Sequence, residues 1–472
     1  MSTDRSSGRP AADVLADLAS WRAGDPPTHG GRILSYVYDP GRADLDDVAA
    51  DAVRMYMPVN GLDPTTFASV AELESRIVAF ARDVLHGDEQ TVGSVTSGGT
   101  ESCMLAVKSA RDLWRATHDP TDRPTLVLPT TAHPAFHKAA HYLDLDVVAV
   151  PVDPRTGAPS AADVLARVDE RTALVVVSAP SYPFGVIDPV AEVAAAAGVP
   201  VHVDACIGGW VLPWWGGIDQ PWDLAVPGVT SVSADLHKFG YAPKGASVVL
   251  YRTRAQHRAQ YFATTAWPGY PVVNPTMLGS RGVGSMAAAW AVLQVLGTDG
   301  LRDLVGETRQ ATDALAVAVS QIAGLRVVGN PTGPLVAIAT DDAADPADQV
   351  DPFLLIDAVR RRGFLLQAQP AMTQGDGSVL PRTAHVTVTP VTRRVVGELV
   401  AALTAAAAEV RGLPAAAPDP SLASTVLSDG LPDDLAVVMA TLEALPPEVV
   451  QPLLVEVLAA TVDPARTAPS GR

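Results

Sequence analysis

The sequence predicts an α/β fold: a mostly parallel central sheet with helices on both faces, followed by a smaller α+β domain. Three observations predict it. Short β-branched runs alternate with Ala-rich helical patterns from about residue 125 to residue 251. Those runs are continuously apolar, as strands covered on both faces are, instead of alternating with polar residues. Beyond residue 323 the order changes to short strands around one helical pattern.

The elements follow in chain order. The stretch to Gly31 is polar and rich in Gly, Pro and Asp, with a helical patch at Val14–Trp21. Apolar residues recur at helical spacing in Asp44–Met57 and Val70–Leu85, and Ser69 is the expected start of the second helix. Strands are expected at Thr125–Leu128, Val147–Val150, Ala173–Ser178, Val199–Asp204 and Ala246–Tyr251. Helices are expected at Pro134–Leu143, Ala161–Val168 and Pro189–Ala197, and a long connecting helix at Leu301–Ala323. The smaller domain reads as Leu325–Gly329, Leu335–Thr340, helical Phe353–Arg361, Phe364–Gln369 and Ala384–Thr389. A Pro/Ala linker, Leu413–Pro420, leads to an acidic tail with helical patterns at Asp433–Leu445 and Val449–Leu458. The expected division is an N-terminal segment 1–60, a large domain 61–300, a small domain 301–412, and a linker with tail 413–472.

Bulk properties narrow the function. A hydrophobic content of 48% with 18% charged residues is that of a folded globular chain and excludes wholesale disorder. A net charge of −18 argues against binding nucleic acid or an anionic membrane surface, whose phosphates it would repel. A small phosphorylated ligand feels mainly local charge and stays possible. The two cysteines, Cys103 and Cys206, lie far apart among apolar or small residues and read as buried free thiols, which suits a reducing cytosol. Met1–Pro10 has no apolar core of a signal peptide, and no 18-residue apolar run reads as a membrane span, so a cytoplasmic location is expected.

In open α/β sheets ligands sit beyond the carboxyl ends of the strands, and four features fall there. Thr96-Ser-Gly-Gly-Thr-Glu-Ser102 opens a helix, so Gly99 and Thr100 offer backbone N–H groups and a hydroxyl to an anion, with the helix dipole adding attraction. His133 follows the Thr125–Pro129 strand and can stack on a flat ring, although a polar turn histidine would look the same. Asp204 ends a buried strand, where a carboxylate needs a cationic partner or else caps the next turn. Lys238 follows His237 between a β-type run and an aromatic, Gly- and Pro-containing turn, where an amine can be held for Schiff-base chemistry. Taken alone a His-Lys pair is a weak signal. The four in this order point to pyridoxal 5′-phosphate (PLP), with Lys238 as its anchor and Asp204 on its ring nitrogen. No metal is assigned.

At these residues the sequence resembles the sphingosine-1-phosphate lyase branch of the group II PLP-dependent decarboxylase superfamily. The resemblance runs from about Gly31 to Val388, is most specific in Thr96–Ser102, His202–Gly209 and Ser231–Tyr251, and continues in Thr265-Ala-Trp-Pro-Gly and Gly279-Ser-Arg281. It implies a fold-type I (aspartate aminotransferase-like) enzyme. It also implies Lys238, Asp204 and His133 as catalytic residues, and Gly99, Thr100 and His237 on the cofactor phosphate. Ser280 and Arg281 would reach that phosphate from a partner subunit, implying a homodimer with shared sites.

For the substrate, a small amino compound, the resemblance implies Tyr38, Tyr182 and Lys244. It departs at Asn60-Gly-Leu-Asp63-Pro64, where these lyases read Asn-Pro-Leu-His-Pro. Asp63 would reverse the sign of a local interaction with a phosphorylated substrate, an effect on the order of a few kcal/mol at an effective dielectric of ~20. The tryptophans 210, 214, 215 and 222 read either as a packed subunit interface or as an aromatic wall over the pocket. Three functions stay open: a carbon–carbon lyase working by retro-aldol cleavage, an L-amino-acid decarboxylase, and a catalytically silent scaffold of the same fold.

Overall fold

The computed structural model describes residues 8–119, 121–419 and 434–464. Parts of three expected features therefore lie outside the described residues: the start of the Met1–Pro10 stretch, the end of the Leu413–Pro420 linker, and Asp433. Helices α1 (Ala11–Arg22), α2 (Ala43–Tyr56) and α3 (Ala68–Val84) precede the sheet. Phe67 is the N-cap of α3 and makes no side-chain cap bond, so Ser69 lies inside the helix and does not start it.

Seven strands form the large sheet: β1 (Val92–Thr96), β2 (Thr125–Pro129), β3 (Asp146–Val150), β4 (Thr172–Ser178), β5 (Val201–Asp204), β6 (Val229–Ala234) and β7 (Ser247–Tyr251). Their order is β1-β7-β6-β5-β4-β2-β3. β2 to β6 are parallel, and β7 runs antiparallel to both β6 and β1. β1 therefore runs in the same sense as β6. The run Val92–Thr96, with a glycine at its second position, was not among the expected strands.

The helices α4 (Gly99–Arg115), α5 (Ala135–Leu143), α6 (Ala161–Leu165) and α7 (Val190–Ala196) connect the strands. Strand periodicity sorts the sheet into two cores. Leu126, Leu128, Leu174 and Val176 pack with Met104 and Val107 of α4 and Phe136 of α5. Their neighbours Val127, Val175 and Val177 face the opposite side, with Leu73 and Ile77 of α3. Successive strand side chains point to opposite faces, so a strand buried on both sides needs an unbroken apolar run.

Three of the four clustered tryptophans belong to this second core: Trp210, Trp215 and Trp222 are 0%, 6% and 5% exposed. They are buried within their own chain, which corrects both readings of that cluster. Trp214 is half-buried against the same core.

Helix α8 (Arg254–Ala259) leads to a hairpin of β8 (Phe262–Thr264) and β9 (Val272–Asn274). The helical stretch α9, Gly284–Ser320, is two helices that meet at a kink at Gly297 (φ 59°, ψ −173°); the expected Leu301–Ala323 falls on the second, and the first was not expected. The smaller sheet contains β10 (Leu325–Val327), β11 (Leu335–Thr340), β12 (Gln367–Gln369) and β15 (Thr383–Thr387), in the order β10-β11-β15-β12. Between its strands lie α10 (Pro352–Arg360), capped by Asp351 through the N–H groups of Phe353 and Leu354, and the short pair β13 (Met372–Thr373) and β14 (Val379–Leu380). Helix α11 (Thr392–Val410) closes over this sheet. The N-terminal segment joins it, with Ile33 bridging in parallel to Leu365. Among the described residues, no helix is long and apolar enough to cross a membrane.

Candidate active site

Because β1, β2, β4, β5 and β6 share one direction, their carboxyl ends lie along one edge of the sheet. Ser97–Thr100, His133, Tyr182 and Asp235–Lys238 follow four of those ends, and Asp204 closes the fifth. Segments that are remote in sequence meet there. A Cβ on Gly98 would stand 3.1 Å from the His237 ring, and one on Gly99 only 2.6 Å from Asp235 Oδ2 and 2.9 Å from Cys206 Sγ. Both positions need glycine because other chain segments fill the space. Gly98 is the N-cap of α4 and supplies no side chain to the first turn, which leaves that positive helix end open to an outside anion.

Lys238 Nζ lies 2.9 Å from Asp235 Oδ2, and the carboxylate is almost wholly buried. Burial opposes charge on both groups, yet the pairing prevails. Lys238 is raised well above its ordinary value by Asp235, Cys206 and Tyr38, while Asp235 is held below the usual carboxylate range by Lys238 and His237. Asp235 Oδ1 has no hydrogen-bond partner among the described residues. Asp204, 8% exposed at the end of β5, accepts a bond from the Cys206 N–H at 3.0 Å. Burial lowers the pKa of His133 against the attraction of Asp204, so the ring is neutral, and its Nδ1 accepts from Ala135 N–H at 3.2 Å. Burial likewise lowers His237.

The groups expected at the substrate divide. Lys244 Nζ sits 4.4 Å over the Tyr38 ring and donates to the His237 carbonyl at 3.0 Å. Desolvation of its ammonium and repulsion from Lys238 draw it down to about 8. Tyr38 packs edge-on against Phe239, 5.3 Å between centroids, and feels Lys238, although burial dominates and raises its phenol. Tyr182, raised chiefly by burial, senses Tyr38 and Lys238.

Asp63 is not brought to this group. Its carboxylate accepts bonds from Thr65 and Thr66 in the turn before α3, which hold it down at about 2. With Glu74, Tyr270 and Arg281 it lines a separate cavity of about 750 Å³. Arg281 is engaged within its own chain, paired with Glu74 at 2.5 Å and donating to the carbonyls of Val95 and Gly61. It also lines a small cleft beside Thr96, Ser97 and Glu101. Ser280 Oγ accepts from Asn60 at 3.2 Å.

Several site residues had not been singled out. Asp235 lies inside the Lys238 motif and pairs with the lysine itself, and an Asp three residues before a candidate Schiff-base lysine was the available signal. Glu101, in the first turn of α4, ties down the N–H groups of Ser97 and Met277 at 2.6 and 2.7 Å. Gln367, His385 and Tyr36 come from remote segments with no motif. The sulfurs of Cys103 and Cys206 and a carboxylate oxygen of Asp204 all lie within 4.8 Å of one another, and both cysteines are unbridged.

These features fit PLP: an open helix end with glycines for its phosphate, an amine for its aldehyde, a buried carboxylate for its ring nitrogen and a neutral imidazole for its face. The comparisons agree. The profile of the pyridoxal-dependent decarboxylase conserved domain matches residues 36–339. The sphingosine-1-phosphate lyase of Dictyostelium discoideum is 36% identical over 345 residues, 72% of this chain and 61% of that protein. Sphingosine-1-phosphate lyase 1 of Rattus norvegicus is 35% identical over 71% of this chain and 60% of its own length. The chain thus spans about three fifths of these curated relatives. The solved sphingosine-1-phosphate lyase of Burkholderia pseudomallei superposes with a TM-score of 0.78 at 34% identity, covering 86% of this chain and 92% of that one. A glutamate decarboxylase of Lactobacillus brevis shares the fold, with a TM-score of 0.74 at 20% identity. The architecture is that of the fold-type I PLP enzymes and the cofactor is PLP; the chain belongs to the pyridoxal-dependent decarboxylase family, in the branch that resembles sphingosine-1-phosphate lyase.

Proposed function

We propose that this protein is a PLP-dependent carbon–carbon lyase of the aldehyde-lyase kind, acting on a small amino substrate by retro-aldol cleavage. The observation that supports it most is the contrast in identity, 34–36% to sphingosine-1-phosphate lyases against 20% for the glutamate decarboxylase of the same fold. Decarboxylation of an L-amino acid is the less supported alternative.

When bound, PLP supplies an electron sink for the pair released as a bond to the amine-bearing carbon breaks. In this reading Gly99, Thr100 and His237 hold its phosphate, Asp204 holds the proton on its ring nitrogen, and the His133 ring lies on its face. Lys238 Nζ attaches it and carries protons at the amine-bearing carbon. Lys244, Tyr38 and Tyr182 receive the substrate, with the Lys244 ammonium suited to an anionic end. Asp63 serves its own turn and would meet substrate only across a subunit contact.

A homodimer is part of the proposal, with Ser280 and Arg281 near the contact. The β8–β9 hairpin and the segment after it support this, because they expose Phe262, Trp267, Tyr270, Val273, Met277 and Leu278 on one stretch of chain. Sedimentation should give twice the mass of one chain, and a monomer at micromolar concentration would exclude shared sites. The cytoplasmic location expected from the sequence stays a proposal, as does the four-part division of the chain.

The activity is tested by incubating the holoenzyme with phosphorylated long-chain amino alcohols and, separately, with L-amino acids. Release of a fatty aldehyde from the first is the expected result. Carbon dioxide from the second, with no aldehyde, would replace the lyase by the decarboxylase.

A further inference from the structure

Tyr182 is held from the smaller sheet in an unusual way. Gln367 on β12 and His385 on β15 are directly opposed across an antiparallel pair. Both reach the same tyrosine of the large sheet's edge. The Tyr182 hydroxyl donates to Gln367 Oε1 at 2.5 Å, and His385 Nε2 donates to the Tyr182 carbonyl at 2.9 Å. The imidazole also lies against the phenol ring, 4.5 Å between centroids. His385 is fully buried, and burial draws it down to about 4, so it stays the neutral donor this bond requires across the working pH range.

The other end of the Gln367 amide is also used. Its Nε2 donates to the Tyr36 hydroxyl at 3.0 Å. Tyr36 is 68% exposed and has φ +61°, a left-handed conformation that costs a bulky residue on the order of 1 kcal/mol or more and persists only where its surroundings enforce it. The segment carrying it is fixed to the same sheet: Leu34 N–H donates to Leu365, Leu365 N–H to Arg32, and Thr387 N–H to Leu34, at 2.8–2.9 Å. Two residues further on, that segment delivers Tyr38 to Lys244. One cross-strand pair therefore touches both the Tyr182 turn and the N-terminal segment that carries Tyr38.

We propose that Gln367 and His385 are positioning residues forming an inter-domain clamp, which sets Tyr182 over the site and latches the Tyr36–Tyr38 segment beside it. This goes beyond the lyase reading and rests on it only for the substrate used in the assay. His385 acts through Tyr182, and Gln367 acts through Tyr182 and Tyr36. The Gln367 amide is matched to two hydroxyls, its oxygen accepting from Tyr182 and its nitrogen donating to Tyr36; a carboxylate in its place could accept from both, because a phenol hydroxyl also donates.

The test is a double-mutant cycle on the holoenzyme with Gln367→Ala, Tyr182→Phe and the pair, together with hydrogen–deuterium exchange. Each single change should lower kcat/KM by about tenfold, the scale of one well-placed hydrogen bond, and the double should be no worse than the more damaging single. Amide exchange in residues 32–38 and 180–186 should quicken in Gln367→Ala, and Gln367→Glu, whose two oxygens can accept from both hydroxyls, should restore protection in both. Multiplying losses in the double variant, or unchanged exchange in both segments, would overturn the clamp. Exchange is read without turnover, so a wild type that cleaves no substrate would count against the lyase alone.

Discussion

Lys238→Ala should abolish covalent retention of PLP and reduce turnover by about 10³-fold or more, since both attachment and proton transfer depend on that amine. The check is the visible absorbance band of the reconstituted protein, which borohydride should bleach in the wild type and which should be missing in the variant. A wild type that shows no such band after reconstitution would refute the anchor. The change has a second consequence. Asp235 is buried and its ion pair would lose its cation, and breaking a buried pair from one side costs roughly 3–5 kcal/mol. Lys238→Arg separates the two effects: a guanidinium can keep Asp235 paired, so melting should return toward wild type while the band stays absent. A pH effect follows from the same pair. The amine must be neutral to capture the aldehyde, and Asp235 holds it as an ammonium above its ordinary pKa. Loading of the apo protein should therefore quicken as pH rises.

Asp204→Asn should lower kcat by about 10²–10³-fold, the usual loss when a preorganised electrostatic partner is removed from a buried site. The substitution is nearly isosteric, and asparagine can still accept the Cys206 N–H that fixes the turn after β5. What it loses is the charge that, in the proposed role, would keep a proton on the ring nitrogen. Covalent attachment should survive because Lys238 is untouched, so the absorbance band should form while turnover fails. Activity within threefold of wild type would remove Asp204 from that role.

Much of the fold could be read directly because its strands are double-faced. Thr172–Ser178 is buried at every position and carries the unbroken apolar run Ala173–Val177. Where the local signal was weaker, the reading fell short. Val92–Thr96 is short and carries Gly93, whose missing side chain is needed because a Cβ there would meet the Val249 carbonyl at 2.2 Å. The helix before Gly297 was not expected, and the non-helical dihedrals of Gly297 set it apart from the expected helix that starts at Leu301.

By itself the sequence determined the strand order of the chemistry: a glycine-opened helix, a histidine, an aspartate and a lysine, each just past an apolar strand. Those positions are dictated locally, by how a strand ends and a helix begins, so spacing along the chain was enough to point to PLP and to propose Lys238 as its anchor. Only the tertiary structure decided how the amine is held and what surrounds it. Asp235 pairs with it because the turn after β6 folds the carboxylate back. Tyr36, Gln367 and His385 come together across more than three hundred residues because the N-terminal segment adds to the edge of the smaller sheet. The tertiary structure also gave Asp63 and Arg281 partners within the chain, the threonines of its own turn for the first and Glu74 for the second. A hydrogen bond or ion pair depends on distance in space, and for residues that far apart in sequence only the packed fold sets that distance.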